Sequence, residues 1–211
     1  MTHVSTRSLT IIILLVLIIL SGCGGRSAPS RYYILSALKE GGPPGVGHES
    51  DLSVGIGPVK IPGYLNRPQI VTRGGQNELL VADFERWGGS LPENIASVIT
   101  ENLSPLLPTT RVYPYPWMPN LVMDYSVTVD ITRLDGSLGG DVILEARWVV
   151  TGREWKKILK KGVARYSARA KGNEYGDYVS AESSLLIRLS KEIAGSVREA
   201  SAIPLPSHLG K

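Results

Sequence analysis

The chain has 211 residues and a formal net charge of +4, with 23 lysines and arginines against 19 aspartates and glutamates. Its single cysteine excludes an intramolecular disulfide and a multi-cysteine metal site. None of its three histidines, His3, His48 and His208, falls in a predicted helix or strand, which argues against a Ser/His/Asp triad or a zinc centre. The length predicts one domain that is stabilised by hydrophobic burial.

An uninterrupted apolar run, residues 11–20, lies shortly before Cys23 and follows a polar segment that carries Arg7. A membrane-spanning helix needs about 20 apolar residues, whereas a shorter run with a cationic front and a small-residue exit is typical of a secretion signal. The sequence therefore predicts a signal peptide over residues 1–22. An uncleaved signal anchor with an unmodified thiol is the alternative.

The residues Leu20-Ser21-Gly22-Cys23 resemble the lipobox of bacterial lipoproteins. The resemblance implies that the thiol of Cys23 is diacylglycerylated, that the signal is cut before it, and that the new amine is acylated. Two or more such chains give a stable membrane anchor. Because Gly24 rather than an aspartate follows the cysteine, the resemblance implies placement in the cell outer membrane, facing the periplasm.

A small, flexible tether over residues 23–30 precedes four short predicted strands. They lie in the segments RYYIL, LSVGIGPVKIP, QIVTR and NELLVADFERW. The second strand is expected to break at Pro58 and to direct four apolar side chains inward. These side chains are Val54, Ile56, Val59 and Ile61.

A helix is predicted next, because apolar residues recur at helical spacing from Leu91 to Leu103. Ser90 and Glu93 have the spacing of a capping box, and Pro105 ends the pattern. The segment RVYPYPW that follows can form a strand only at a sheet edge, since its two prolines remove N–H donors from the same side.

An antiparallel meander is predicted over residues 124–170, beginning with a strand in which apolar and polar residues alternate. A closing helix spans about residues 175–200, and residues 201–211 form a tail. The two helices and about seven strands predict an α/β (α+β) sandwich. We expect a mixed, largely antiparallel sheet with two main helices in a single domain, residues 31–200.

Two groups of side chains are candidate sites. Asp83 and Glu85 are spaced as a glycosidase pair could be, but a solvated strand face is the stronger interpretation. Tyr113, Tyr115 and Trp117 could form a recognition stripe, although aromatic packing beside an edge strand is commoner. Neither group predicts an enzyme.

The segment 153–171 is strongly basic, with eight lysines or arginines and one glutamate. Such a hairpin suits anionic lipid headgroups or an acidic protein surface, and a merely solvated hairpin is the alternative. Nucleic acid is not expected as a partner outside the cytoplasm.

The chain resembles the PqiC-type ABC-transport auxiliary lipoproteins over about residues 31–200. The resemblance lies in the order of five segments: the lipobox, RYYIL, VGIGPVKIPGYLNRPQIVTR, FERWGGSLPENIASVITENL and LLIRLSKEIAGSV. Residues that match the family pattern are Pro62, Tyr64, Leu65, Arg67, Ile70, Val71, Arg73, Arg86, Trp87 and Leu91. The Gly88-Gly89 pair departs from it. The resemblance implies an α/β sandwich without catalytic residues, cofactor or metal.

The resemblance further implies an outer-membrane lipoprotein that docks an MCE-domain protein of an ABC-type system for lipids or other hydrophobic molecules and supports membrane integrity. A lipoprotein that itself carries lipid, or that assists outer-membrane assembly, is the alternative. Self-association into a homo-oligomer is left open.

The loop PGYLNRP, residues 62–68, is the candidate partner-binding site. Prolines at both ends restrict its backbone, and Tyr64, Leu65 and Arg67 include side-chain types that are enriched where interface energy concentrates. The alternative is that Tyr64 and Leu65 fold inward and cap the sheet. Trp87 is expected to be structural and buried.

Overall fold

The computed structural model describes residues 28–38, 51–117, 121–153 and 157–202. The predicted signal peptide, Cys23, most of the tether and most of the predicted tail lie outside the described residues. By its contacts, the chain from Arg31 onward forms a compact unit of its own. No helix among the described residues is both long and apolar enough to cross a membrane.

The described chain contains eight strands, two α-helices and one 3-10 turn. In order they are β1 (Arg31–Tyr33), β2 (Val54–Lys60), the 3-10 turn (Gly63–Leu65), β3 (Gln69–Arg73), β4 (Leu79–Trp87), α1 (Leu91–Leu103), β5 (Val112–Pro114), β6 (Tyr125–Gly136), β7 (Asp141–Gly152), β8 (Ile158–Arg169) and α2 (Tyr175–Ser201). The predicted α+β class with two helices is confirmed.

The larger sheet has five strands in the order β5-β2-β6-β7-β8. Strands β6, β7 and β8 form the predicted antiparallel meander, whereas β2 runs parallel to both β5 and β6. The period-2 pattern of β6 is confirmed, because Tyr125, Val127, Val129 and Ile131 are all buried. Strand β5 lies at the edge, as its prolines predicted.

The smaller sheet has three strands in the order β1-β4-β3, so the strands are divided between two sheets instead of forming one. The division falls at the loop 62–68. Pro62 and Pro68 bring no N–H donors there, and a hydrogen-bonded ladder cannot continue through such a segment.

Strand β2 continues through Pro58, contrary to the expected break. The proline is accommodated by an irregularity in the pairing of β2 with β6 between Ile56 and Val59. A bulge lets a strand pass a residue that cannot donate to the ladder. The predicted inward residues of this strand all lie in the core or pack against it.

Helix α1 packs on β2 and β5, helix α2 packs on β7 and β8, and the helices contact each other. Helix α1 begins where predicted, but the hydroxyl of Ser90 makes no capping hydrogen bond. The start is favoured instead by a proline in the first turn and by the charge of Glu93 near the positive end of the helix dipole.

The apolar face predicted for α2 is buried over its whole length. Its members are Tyr178, Leu185, Leu186, Leu189, Ile193 and Val197. They close one continuous hydrophobic core between the helical layer and the larger sheet.

The segment after β1 is fastened to both helices by hydrogen bonds from its backbone. The Leu35 and Leu38 amides donate to the Oδ1 atoms of Asn94 and Asn102 at 2.8 Å each. The Ser36 amide donates to Oγ of Ser183 at 3.1 Å. The entry of the chain into the domain is therefore held by side chains of α1 and α2.

Candidate functional site

The loop 62–68 is a short structured connection between the two sheets. The Leu65 amide donates to the Pro62 carbonyl at 3.0 Å and the Asn66 amide to the Gly63 carbonyl at 3.2 Å. At its far end, the Trp87 amide donates to the Pro68 carbonyl at 2.7 Å. These bonds fix the path of the loop at both ends.

The three candidate partner-binding residues of this loop have different environments. Leu65 is 4% exposed and belongs to the hydrophobic core. Tyr64 is half-buried, and its hydroxyl donates to Oδ2 of Asp135 at 2.6 Å. Arg67 is exposed. Tyr64 and Leu65 thus face inward, and Arg67 presents its charge to solvent.

Asp135 is the centre of a buried ionic cluster at the end of β6. Its carboxylate is fully buried and accepts a two-point contact from Arg73, with Nε to Oδ1 at 2.7 Å and Nη2 to Oδ2 at 2.9 Å. Nε of Arg133 also donates to Oδ1, at 2.8 Å. Together with Tyr64, these groups attach the loop, β3 and β6 to one another.

The cluster fixes the protonation of its members. Burial alone would raise the pKa of Asp135, but the hydrogen bonds from Arg73, Tyr64 and Arg133 lower that pKa below its ordinary value. Burial, followed by the hydrogen bond to Asp135, raises the pKa of Tyr64 to about 12. At neutral pH, Asp135 is therefore an anion and Tyr64 a neutral donor.

Asp135 was not among the site residues predicted from the sequence. The only available signal was indirect: Tyr64 and Arg73, both polar, flank a short apolar strand and match the family pattern. Polar residues that bracket a buried strand require a partner in the interior.

Glu182 is a second buried acid, on α2. It is 2% exposed, and its Oε2 has no hydrogen-bond partner among the described residues. Burial raises the pKa of Glu182 well above its ordinary value, a hydrogen bond with Tyr178 lowers it, and the charge of Asp135 raises it further. Burial therefore favours the neutral form of this carboxyl.

The three-stranded sheet leaves several large apolar side chains in solvent. Tyr32 on β1 is 67% exposed, and Leu80 and Phe84 on β4 are 47% and 36% exposed. Ile34, just after β1, is 66% exposed. Large apolar groups concentrated on one small sheet mark it as a candidate contact area.

A groove of 410 Å³ lies between the segment after β1 and helix α2. Its lining combines apolar residues, such as Leu38, Val179 and Ile187, with Ser36 and Ser183. This composition offers a short apolar strip that is interrupted by hydroxyl groups.

Members of the other candidate groups have contacts within the domain. Glu85 accepts a hydrogen bond from Arg31 at 3.2 Å. Tyr115 and Trp117 pack edge to face with centroids 5.5 Å apart, and the Trp117 indole donates to the Tyr113 carbonyl at 3.1 Å. Among the described residues, no three His, Cys, Asp or Glu side chains are grouped as a metal site requires.

These features define the class of the protein as a two-layer α+β domain whose conspicuous surfaces are apolar and basic. Residues 33–194 match the model of the family described as the ABC-type transport auxiliary lipoprotein component, and the chain belongs to this family. The resemblance seen in the sequence is thereby confirmed. No curated protein sequence matches the chain.

Two solved structures share the fold. An uncharacterized protein is 18% identical, with a TM-score of 0.66 over 81% of this chain and 99% of its own. A Xanthomonas campestris protein assigned to the family DUF330 is 10% identical, with a TM-score of 0.63 over 82% of this chain and 99% of its own. At these identities the similarity is one of fold alone.

Proposed function

We propose that this protein is a non-catalytic lipoprotein of the outer membrane, facing the periplasm, that docks the MCE-domain subunit of an ABC-type system. The system would carry lipids or other hydrophobic molecules between the two membranes. The family match over residues 33–194 is the observation that carries the proposal. Acyl chains on Cys23 are its membrane anchor.

The mechanism is positional. The eight residues from Gly24 to Arg31, which link the lipidated cysteine to β1, reach at most about 28 Å when fully extended. A domain held this close to the membrane meets a partner at a high effective concentration, so that weak contacts suffice for stable docking. The protein then aligns the transport path with the outer membrane and needs no chemistry of its own.

The loop 62–68 is the proposed partner contact, and its three candidate residues have different roles. Arg67 meets the partner, whereas Leu65 in the core and Tyr64 on Asp135 hold the loop backbone in place. The exposed apolar side chains of the three-stranded sheet extend the contact. A rigid loop loses little entropy on binding, which favours a durable interface.

The second candidate function is lipid carriage by the domain itself. The groove between the segment after β1 and α2 favours it, because 410 Å³ with an apolar strip could hold part of one hydrocarbon chain. The hydroxyl groups in its lining and the continuous core favour docking instead.

We expect Arg67→Ala to lower recovery of the MCE partner in a pull-down about tenfold, with an unchanged thermal midpoint. Lys191→Ala, which removes an exposed cation on α2, is the matched control and should leave recovery unchanged. Tyr64→Phe should lower the midpoint, because it removes the hydrogen bond to Asp135. Full recovery with Arg67→Ala at full stability would exclude the loop as the contact.

We expect Cys23→Ser to abolish labelling by a palmitate analogue, because Cys23 is the only thiol in the chain. The variant should be found soluble in the periplasm or retained with its signal. Separation of inner and outer membranes tests the placement of the wild-type protein. Undiminished labelling of the variant would rule out the anchor.

A further inference from the structure

Strand β8 is the edge of the five-stranded sheet and spans twelve residues, Ile158–Arg169. It pairs with β7 on one side, and no strand of the described chain pairs with the other. A strand of this length at a sheet edge presents a row of backbone donors and acceptors that can pair with another chain.

The register identifies which backbone groups point outward. The Ala170 amide donates to the Gly140 carbonyl at 2.9 Å, and hydrogen-bonded pairs recur every second residue along an antiparallel ladder. In this register, Ala168 and Tyr166 form hydrogen bonds with β7. The residues that alternate with them along β8, such as Ser167, direct their N–H and C=O groups away from β7. Nη1 of Arg188 binds the Ser167 carbonyl at 3.1 Å, which agrees with that direction.

The outward backbone groups belong to residues whose side chains are also exposed. They are Lys161, Val163, Arg165, Ser167 and Arg169. Val163 is 76% exposed between two cations. Residues 157–171 contain six lysines or arginines and no acid. Apart from the Ser167 carbonyl, which Arg188 binds, these outward backbone groups have no strand partner among the described residues, and a row of positive charge accompanies them.

These cations are only lightly neutralised within the domain. Nε of Arg165 lies 3.3 Å from Oε1 of Glu145, and Nη1 of Arg169 lies 4.0 Å from Oδ1 of Asp141. The arginine side chains of both pairs are about three-quarters exposed, and pairs in such positions contribute little. The positive field remains available to an incoming anion.

We propose that the outer edge of β8 binds an extended acidic segment of another protein, which joins the larger sheet as a sixth strand. Added strands gain affinity from backbone hydrogen bonds and specificity from alternate side chains. Carboxylates at alternate positions of the segment would lie opposite Lys161, Arg165 and Arg169. Opposite charges across neighbouring strands stabilise such a pairing.

The same charges disfavour a second copy of this chain as the occupant. Pairing of β8 with another β8 would place like charges opposite each other, which destabilises a sheet. An anionic membrane surface could contact the cations, but it could not use the backbone groups. The backbone is therefore the feature that separates these occupants.

The inference rests on the docking role proposed above, but its test does not. The probe is a synthetic peptide of about ten residues, a usual strand length, with alternating glutamate and valine. It is titrated against the full lipoprotein in neutral detergent micelles. A peptide of alternating lysine and valine is the control and should not bind. Failure of this binding would leave docking through Arg67 untouched.

Val163→Pro removes one outward N–H without changing charge, and an edge strand tolerates proline at such a position. Val163→Ala keeps the N–H and is the matched control. We expect Val163→Pro to weaken peptide binding at least about tenfold relative to Val163→Ala. Equal affinities of the two variants would overturn the proposal, because binding would then depend on charge alone.

Amide exchange of the wild-type protein provides a test that needs no variant. Peptide binding should slow exchange at the amides of Lys161, Val163 and Arg165, and leave Ala164, which faces β7, unchanged. Unchanged exchange at the outward amides would overturn the proposal. The proposal would also be overturned if the protein bound vesicles of phosphatidylcholine and phosphatidylglycerol but not the peptide, because the edge would then be a membrane contact.

Discussion

Replacement of Asp135 by asparagine is expected to lower the free energy of unfolding at pH 7 by about 3 kcal/mol. The substitution keeps the shape of the side chain but removes the charge that neutralises Arg73 and Arg133. Both arginines are about one-quarter exposed, so water partly compensates them and the loss lies at the lower end of the range for broken buried pairs. Urea unfolding measures it.

The loss should shrink in acid. Because the folded-state pKa of Asp135 is lowered, its contribution to stability is present above the ordinary carboxyl pKa and disappears as the pH falls through the lowered value. The difference between wild type and variant should therefore begin to narrow below about pH 4 and vanish only below the lowered pKa of Asp135. Asp130→Asn, an exposed position on β6, is the control. A difference that does not depend on pH would contradict the assignment.

Replacement of Trp87 by alanine is expected to lower the free energy of unfolding by about 3 to 5 kcal/mol. The side chain is 6% exposed at the end of β4, immediately before the turn into α1. Its removal leaves a cavity between the smaller sheet and the core. The backbone at residue 87 is paired with both Tyr33 and Pro68, so it cannot move to fill this cavity.

A thermal melt beside Phe84→Ala tests this prediction. Phe84 is an aromatic residue on the same strand but is 36% exposed, so its loss should be much smaller. Equal shifts for the two variants would mean that the strand, and not the buried indole, determines the effect.

Much of the fold could be predicted because two patterns are enforced by one-sided burial. Strand β6 alternates every second residue, since one face meets the core and the other meets solvent. Helix α2 repeats its apolar residues at helical spacing for the same reason. In both cases the layer packed against one face requires apolar residues at a regular spacing. That spacing is visible in a short stretch of sequence, so the element could be predicted.

The candidate site was less predictable because its contacts are not local. Asp135 meets Arg73 and Tyr64 across 62 and 71 residues of chain, and no spacing rule connects such positions. The division into two sheets likewise depends on which strands meet after the loop 62–68. For Tyr64 and Leu65, the sequence allowed both an outward and an inward orientation, and packing chose the inward one.

The fastening of residues 31–38 determines how the domain would bear mechanical load. Under the proposed anchoring, any tension between membrane and partner enters the folded chain at β1, whose ladder with β4 has only three residue pairs. Beyond it, Leu35, Ser36 and Leu38 are tied to Asn94, Ser183 and Asn102. These hydrogen bonds distribute the force between both helices before it reaches the larger sheet. The protein can therefore stay bound to membrane and partner under tension while its core remains folded.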